Sequence, residues 1–317
     1  MKIVYLDKQT ELLSSGVATI GFFDGVHLGH RYLIDKVCEM ARGKGMLSTV
    51  ITFASHPRQV LQPSWYPQLL STFEEKMALL SQTGIDQVVV LRFDEAMAAL
   101  SAHDFMFDIL CKQLGVKVLL AGYDNHFGHR GSDSQEGFAD YVKYGEEMGI
   151  SVVQGAPFVA GDVRVSSSKV RGFLHEGNVE QAAQCLGHPY ELTGKVVSGE
   201  HIGTSMGYPT ANLQPTDANK LIPAPGVYAV KVRMKESLEV RHGMMNIGCR
   251  PTFNGDHQTL ETHIFHFSHD IYGKEMTVWF ISRLREETRF SSQEALKVQL
   301  EADAHQAETI LRKTDEI

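Results

Sequence analysis

From Val17 to Val153 the sequence switches repeatedly between short β-branched runs and longer stretches whose apolar residues recur every three or four positions. Val17–Ile20, Leu47–Phe53, Gln87–Arg92, Val116–Ala121 and Ser151–Val153 read as strands, and Leu28–Arg42, Phe73–Ser81, Ala102–Leu114 and Gln135–Glu147 as helices. Ser71 with Glu74, or Thr72 with Glu75, forms a capping box, and Ser101 caps the third helix. Strands that alternate strictly with helices are joined by right-handed crossovers, so this half predicts an α/β fold with a parallel, doubly wound, Rossmann-like sheet. Ligands of such sheets bind beyond the carboxyl ends of the strands. That rule singles out Gly21–His30, Thr52–Arg58 and Gly122–Arg130.

After about Leu186 the texture changes to short strand-like runs separated by Gly and Pro ("ELTGKVVSG", "GYPTANL", "PGVYAVKV", "HGMMNIG", "LETHIFHF", "MTVWFISRLR"), which predicts a small antiparallel barrel. Ser291–Lys313 reads as one amphipathic helix, with Ala295, Leu296, Val298 and Leu300 as packing residues near its start. A chain of 317 residues has room for two domains. The change of texture puts their boundary near Gly187–Pro189, giving domains 1–186 and 187–317.

The formal charge of −8 and scattered Lys and Arg leave no footprint for a nucleic-acid backbone, so any nucleotide handled is small. No apolar run reaches the roughly 18 residues of a membrane span. The N-terminal "MKIVYLDKQTELL" lacks the apolar centre of a signal peptide, and the expectation is a cytoplasmic protein with no membrane partner. Cys38, Cys111, Cys185 and Cys249 lie far apart, which argues against a zinc site and a disulfide framework.

In Thr19–Arg31, "TIGFFDGVHLGHR", a strand leads through Gly21, Phe22, Asp24 and Gly25 into a helix start. Free amides and the positive helix end there favour an anion, and His27 and His30, either side of Gly29, can add donors. "VSSSKVRG" (Val165–Gly172) opens another predicted helix with Ser166, Ser167 and Ser168, then Arg171. Each alone admits a plainer reading: a tight turn with surface histidines, capping serines, a solvated arginine. Together, two anion-ready helix starts suit one triphosphate, and the chemistry that fits is nucleotidyl transfer to a phosphate acceptor, which needs positive donors more than a covalent nucleophile. No third nitrogen or thiol stands at metal-binding spacing, so zinc is not expected.

Val196–Leu213, "VVSGEHIGTSMGYPTANL", carries Gly199, Gly203 and Gly207 before Pro209-Thr210-Ala211-Asn212. It is neither a Walker loop nor G-x-G-x-x-G, and glycine-rich barrel turns are its plain reading. Yet the Thr210 hydroxyl and Asn212 carbonyl, two positions apart in an extended segment, share a side and can offer oxygen to a hard cation such as Mg2+ bridging ATP phosphates.

"GFFDGVHLGH" with "SSSKVR" resembles the nucleotidyltransferase signature pair of the bacterial bifunctional riboflavin kinase/FAD synthetase family. The likeness runs on through "TFASHP", "GYDNHFG", the P-T-A-N segment, "NIGCRPTF", "IYGKE" and "LREETRF", and so covers essentially the whole chain. The resemblance implies that His27 and His30 bind ATP phosphates, that Gly29 permits close approach, and that Ser167, Ser168 and Arg171 hold the triphosphate from the far side. It likewise implies nucleotide binding by the Gly21–Gly25 turn and by Gly199 and Gly203, and metal and phosphate binding by Thr210 and Asn212. Glu261, by the same resemblance, activates the ribityl hydroxyl as a base; without it, Glu261 is an outward-facing strand residue. Asn246 and Arg285 are placed at the flavin. Asp124 is placed at magnesium or the flavin phosphate, with a turn-forming Asp as the alternative. Three positions depart from the family pattern: Ser168 stands for the usual Thr and keeps the hydroxyl, Thr204 stands where Arg is common, and His266 where Asp is common.

The implied function is Mg2+-dependent synthesis of flavin cofactors. The barrel converts riboflavin and ATP to FMN and ADP, and the parallel-sheet domain converts FMN and ATP to FAD and diphosphate. Two rivals remain at this level: a nucleotidyltransferase for another phosphorylated acceptor, its barrel reduced to a binding module by Thr204 and His266, and a flavin-sensing regulator without turnover.

Overall fold

The computed structural model describes residues 1–6, 16–62, 64, 68–123, 128, 136–199, 207–252 and 255–315, by backbone alone at 249–252 and 255–257. Asp124, Gly203 and Thr204 lie outside the described residues. By contacts the chain divides into two units, Met1–Ser167 and Ser168–Ile317.

In the first unit β1 (Lys2–Tyr5), β2 (Gly16–Ile20), β3 (Ser48–Phe53), β4 (Gln87–Leu91), β5 (Val116–Ala121) and β6 (Ser151–Gln154) form one sheet in the order β1-β4-β3-β2-β5-β6. Every pairing is parallel. Neighbouring residues of β2 are both buried because helices cover both faces. Val17 packs with Ile34, Val37 and Ala41 of the helix Leu28–Lys44 and with Met77 and Leu80 of the helix Phe73–Ser81. Ala18 and Ile20 pack on the other face with Phe105, Met106, Leu110 and Tyr141. The chain steps from β2 through β3 to β4 on one side and then fills β5 and β6 on the other. The order therefore reverses between β2 and β5, and their carboxyl ends open the crevice where ligands of such sheets bind.

The structure differs from expectation in two places here. β1 was not expected: it is an edge strand of only four residues, Lys-Ile-Val-Tyr, three of them exposed, and too short to show a pattern of its own. The helix expected over Ala102–Leu114 is α-helical only at Ala102–Asp104 and π-helical over Phe105–Gln113. Phe105, Met106, Ile109 and Leu110 are buried along it, a pattern that an ordinary α-helix would give equally. Of the two candidate capping boxes, Thr72 with Glu75 is the one formed. A two-stranded ribbon, β7 (Val159–Ala160) and β8 (Val163–Arg164), leads to the helix Ser167–His175.

In the second unit β9 (Tyr190–Val197), β10 (Ala211–Pro215), β11 (Gly226–Met234), β12 (Val240–Thr252), β13 (Gly255–Ile264) and β14 (Glu275–Arg285) close an antiparallel barrel in the order β10-β13-β12-β11-β14-β9. Along β14 Met276, Val278 and Phe280 are buried in strict alternation, the signature of one face turned to a core. The helix Val179–Leu186 is fastened to this barrel: the Glu180 carboxylate accepts from the Ser282 hydroxyl and the Arg283 amide, and the Arg283 guanidinium donates to the carbonyls of Glu176 and Pro225. Helices between 168 and 186 thus group with the barrel, and the division by contacts precedes the boundary expected from texture.

The terminal helix spans Gln293–Asp315. Ala307 and Leu311 pack on Ala229, Met244 and Phe265, with Leu300 alongside. Of the packing residues expected near its start, Ala295 and Val298 are exposed and only Leu296 and Leu300 turn inward. The true stripe is Leu296, Leu300, Asp303, Ala307 and Leu311, and it passes through a carboxylate that an apolar count leaves out.

Candidate functional sites

At the carboxyl end of β2 the chain turns sharply. Phe23 (φ 56°), Gly25 (φ 75°) and Val26 (φ 40°) all occupy the left-handed region, an uncommon state for a β-branched residue that other contacts must hold in place. Those contacts come from 46 residues away. The Asp24 carboxylate accepts from the amides of Leu70 (2.9 Å) and Ser71 (3.1 Å), and the Gly25 amide donates to Ser71 Oγ (2.9 Å). Asp24, expected beside the nucleotide, is buried here as the clasp of the turn.

His27 caps the helix Leu28–Lys44, its Nδ1 accepting from the His30 amide at 3.2 Å. An Nδ1 that accepts leaves the proton of the neutral ring on Nε2, which makes His27 a donor at that atom. The two imidazoles stack, centroids 3.6 Å apart and 12° from parallel. A β-carbon on Gly29 would come within 3.2 Å of the His27 ring, so glycine permits this stacking as well as any approach of a ligand. His30 Nδ1 is buried without a hydrogen-bond partner, and burial, His27 and Lys76 together hold the His30 ring well below the usual histidine range. His30 is therefore neutral at physiological pH.

Ser167, the first residue of its helix, donates to the Asp24 carbonyl at 3.1 Å. Ser168 is exposed and Arg171 half-buried on the same helix. Thr52 is buried and donates to the Phe22 carbonyl (3.2 Å), while His56 lies against the Phe22 ring, centroids 4.6 Å apart. One residue sequence reasoning missed is Lys76, whose buried ammonium sits at the ends of β2 and β3. Its signal was a lysine on the apolar stripe formed by Phe73, Met77 and Leu80.

In the barrel, register assembles the second set. Asn212 of β10 and Asn246 of β12 both pair with Glu261 of β13, so three polar side chains stand in a row on one face. Glu261 and Asn246 line a cavity of about 260 Å³ with Thr210, Arg285, His263 and Glu287. Four of the residues expected at the metal, base and flavin positions thus share one chamber. Thr210 also faces a neighbouring cavity of about 320 Å³ lined by Phe267, His269, Ile271 and Tyr272, and so stands where the two meet. Asn212 lines a third, of about 830 Å³, and a β-carbon on Gly199 would overlap the Asn212 amide.

Arg285 is aimed by the terminal helix. Its Nε and Nη2 grip the Asp303 carboxylate at 2.8–3.1 Å, Gln299 donates to the same carboxylate at 2.8 Å, and the guanidinium faces the Phe290 ring. Asp303, 1% exposed, was not expected at all. His263 is held below the usual histidine range by burial, with its Nδ1 donating to the Pro209 carbonyl. His266 stands in a left-handed turn (φ 53°) with its side chain exposed beside Glu308 on the terminal helix, away from the three cavities.

Two family profiles match the chain one after the other. The FAD synthetase family profile matches residues 9–169 and the riboflavin kinase profile residues 186–311. The bifunctional riboflavin kinase/FMN adenylyltransferase of Escherichia coli K12 is 37% identical over 90% of both chains. That of Listeria monocytogenes is 34% identical over the whole of both. A solved structure from Streptococcus pneumoniae, titled a macrolide-efflux protein, superposes with a TM-score of 0.86 at 31% identity, covering 97% of this chain and 99% of that one. Among the described residues, no helix is long and apolar enough to cross a membrane.

Proposed function

The chain belongs to the bifunctional riboflavin kinase/FMN adenylyltransferase family, and we propose that it divides that family's two reactions between its two halves, 1–186 and 187–317. The barrel phosphorylates riboflavin with ATP to give FMN and ADP. The parallel-sheet domain transfers AMP from a second ATP to FMN, giving FAD and diphosphate.

The observation that carries the kinase reading is Glu261 opening, with Asn246, Thr210 and Arg285, onto one cavity. Glu261 accepts the ribityl hydroxyl proton as its oxygen bonds to the γ-phosphorus and ADP departs. Asn246 and Arg285 line the flavin side. Thr210 and Asn212 offer hard oxygens of the kind Mg2+ prefers. No group of three His, Cys, Asp or Glu poised for a metal exists among the described residues, so these two would hold the ion together with ATP phosphates and water. When bound, the ion neutralises charge developing on the phosphates. His266, turned to Glu308, gives no support to a degenerate kinase.

In the other half, we assign the His27 Nε2–H, the His30 ring and Ser167 to the ATP phosphates at the end of β2; Ser168 and Arg171 keep the triphosphate role, and Asp124 the magnesium or flavin-phosphate role, that the resemblance implies. Negative charge then builds where fixed donors already stand. A formal charge of −8 with scattered Lys and Arg supports small-molecule rather than nucleic-acid substrates, and we place the protein in the cytoplasm. Two variants test the division. Glu261→Gln is expected to abolish FMN formation while added FMN is still adenylylated, and His30→Ala to cut FAD formation about 10²–10³-fold with FMN formation intact. Loss of both activities in either variant would refute it.

A further inference from the structure

Lys76 is 2% exposed, and the three donors of its ammonium meet three oxygens: the Phe53 carbonyl at 3.0 Å, the Phe22 carbonyl at 3.2 Å and Thr52 Oγ1 at 3.3 Å. The Phe22 ring lies 4.2 Å from the nitrogen. With all three donors engaged, Lys76 has none left for a substrate. What it does is join the end of β2 to the end of β3 directly beneath the strained turn that carries His27 and His30. The titratable groups facing it are Asp24 in the turn, His30 on the adjoining helix and His56 across the Phe22 ring, with Glu74 and Glu75 on its own helix.

A lysine held only for packing would not need carbonyls from two strands and an aromatic face. Burial brings its ammonium down to about 8 while Asp24 pulls the other way, so it remains charged at neutral pH. That charge is one of the three influences keeping His30 neutral. In a poorly solvated site a fixed positive charge acts at greater strength than in water, and it costs no rearrangement when an anion arrives.

We propose that Lys76 is a positioning residue for adenylyl transfer: it locks the ends of β2 and β3 together and supplies the buried positive charge over which the Gly21–His30 turn receives the ATP triphosphate. This rests on reading the parallel-sheet domain as the FMN adenylyltransferase.

The test uses the full chain, with Lys76→Met and with Lys76→Gln, which keeps a donor for the carbonyls but no charge and so covers failure of the methionine variant to fold. Wild type is first given FMN, ATP and Mg2+; absence of FAD refutes the underlying reading alone. In the variants the KM for ATP in FAD formation is expected to rise about 10–100-fold, the usual scale for a group acting through its neighbours, with riboflavin phosphorylation within about twofold of wild type. The His30 ring, followed by NMR titration, is expected to protonate at higher pH, since a neighbouring positive charge is gone. This second readout needs no turnover and distinguishes positioning from mere packing. A folded variant with unchanged ATP dependence, an unmoved His30 titration, or equal loss of both activities overturns the proposal.

Discussion

Removing either partner of the Arg285–Asp303 pair is expected to damage the barrel unequally. Arg285→Ala strands a carboxylate whose side chain is only 2% exposed, leaving it the Gln299 amide in place of a bidentate guanidinium. Breaking a buried pair in this way costs about 3–5 kcal/mol, because the remaining charge is uncompensated. Asp303→Ala leaves Arg285 with a side chain 21% exposed, within reach of water, and with its bond to the Glu286 carbonyl intact. The loss should then fall to about 1.5–3 kcal/mol, the scale of a hydrogen bond to a charged group. The double variant removes the stranded charge and should be more stable than Arg285→Ala alone. For a unit of this size each kcal/mol moves the melting temperature by about 2–4 °C, so calorimetry on the three variants resolves the order. Both single variants should also raise the KM for riboflavin, since the guanidinium belongs to the wall of the Glu261 cavity. An Asp303→Ala barrel that melts below Arg285→Ala, or a double variant that loses the sum of the two, would refute the reasoning.

Three further outcomes are expected. Stability should fall as pH drops below about 6.5, because the unfolded chain protonates His30 and His263 there while both folded rings resist it; urea unfolding from pH 7 to 5 should show the slope, reduced in His30→Gln, and a flat profile would contradict the burial of these rings. Gly29→Ala should push on the His27 ring and lower FAD formation about tenfold, a loss equivalent to about 1.4 kcal/mol, while kinase activity is unchanged. Thr210→Val, nearly isosteric, should suppress riboflavin phosphorylation but leave riboflavin binding by fluorescence quenching measurable; full kinase activity would remove Thr210 from the site.

The parallel sheet was legible because its central strands are apolar on both faces and alternate with helices, and the barrel because its runs are short and punctuated by Gly and Pro. The π-helical turn was hidden, since Phe105–Gln113 has the composition of an ordinary helix. That the Asp24 carboxylate reaches Leu70 and Ser71 has no local signal in the sequence. Glu261, Asn212 and Asn246 could be singled out by motif, yet only strand register puts them side by side. Lys76 and Asp303 were missed for one shared reason. Each is a charge at a stripe position of an amphipathic helix, read as an interruption of the pattern when its partner lay on another element. A charged residue on an apolar stripe is thus itself a signal for a buried partner.

The most direct measurement is a time course of flavins, separated by chromatography, after the purified chain meets riboflavin, ATP and Mg2+. FMN should rise first and then give way to FAD as the product of one site becomes the substrate of the other. Riboflavin left untouched, with supplied FMN also unchanged, would contradict the two-site account.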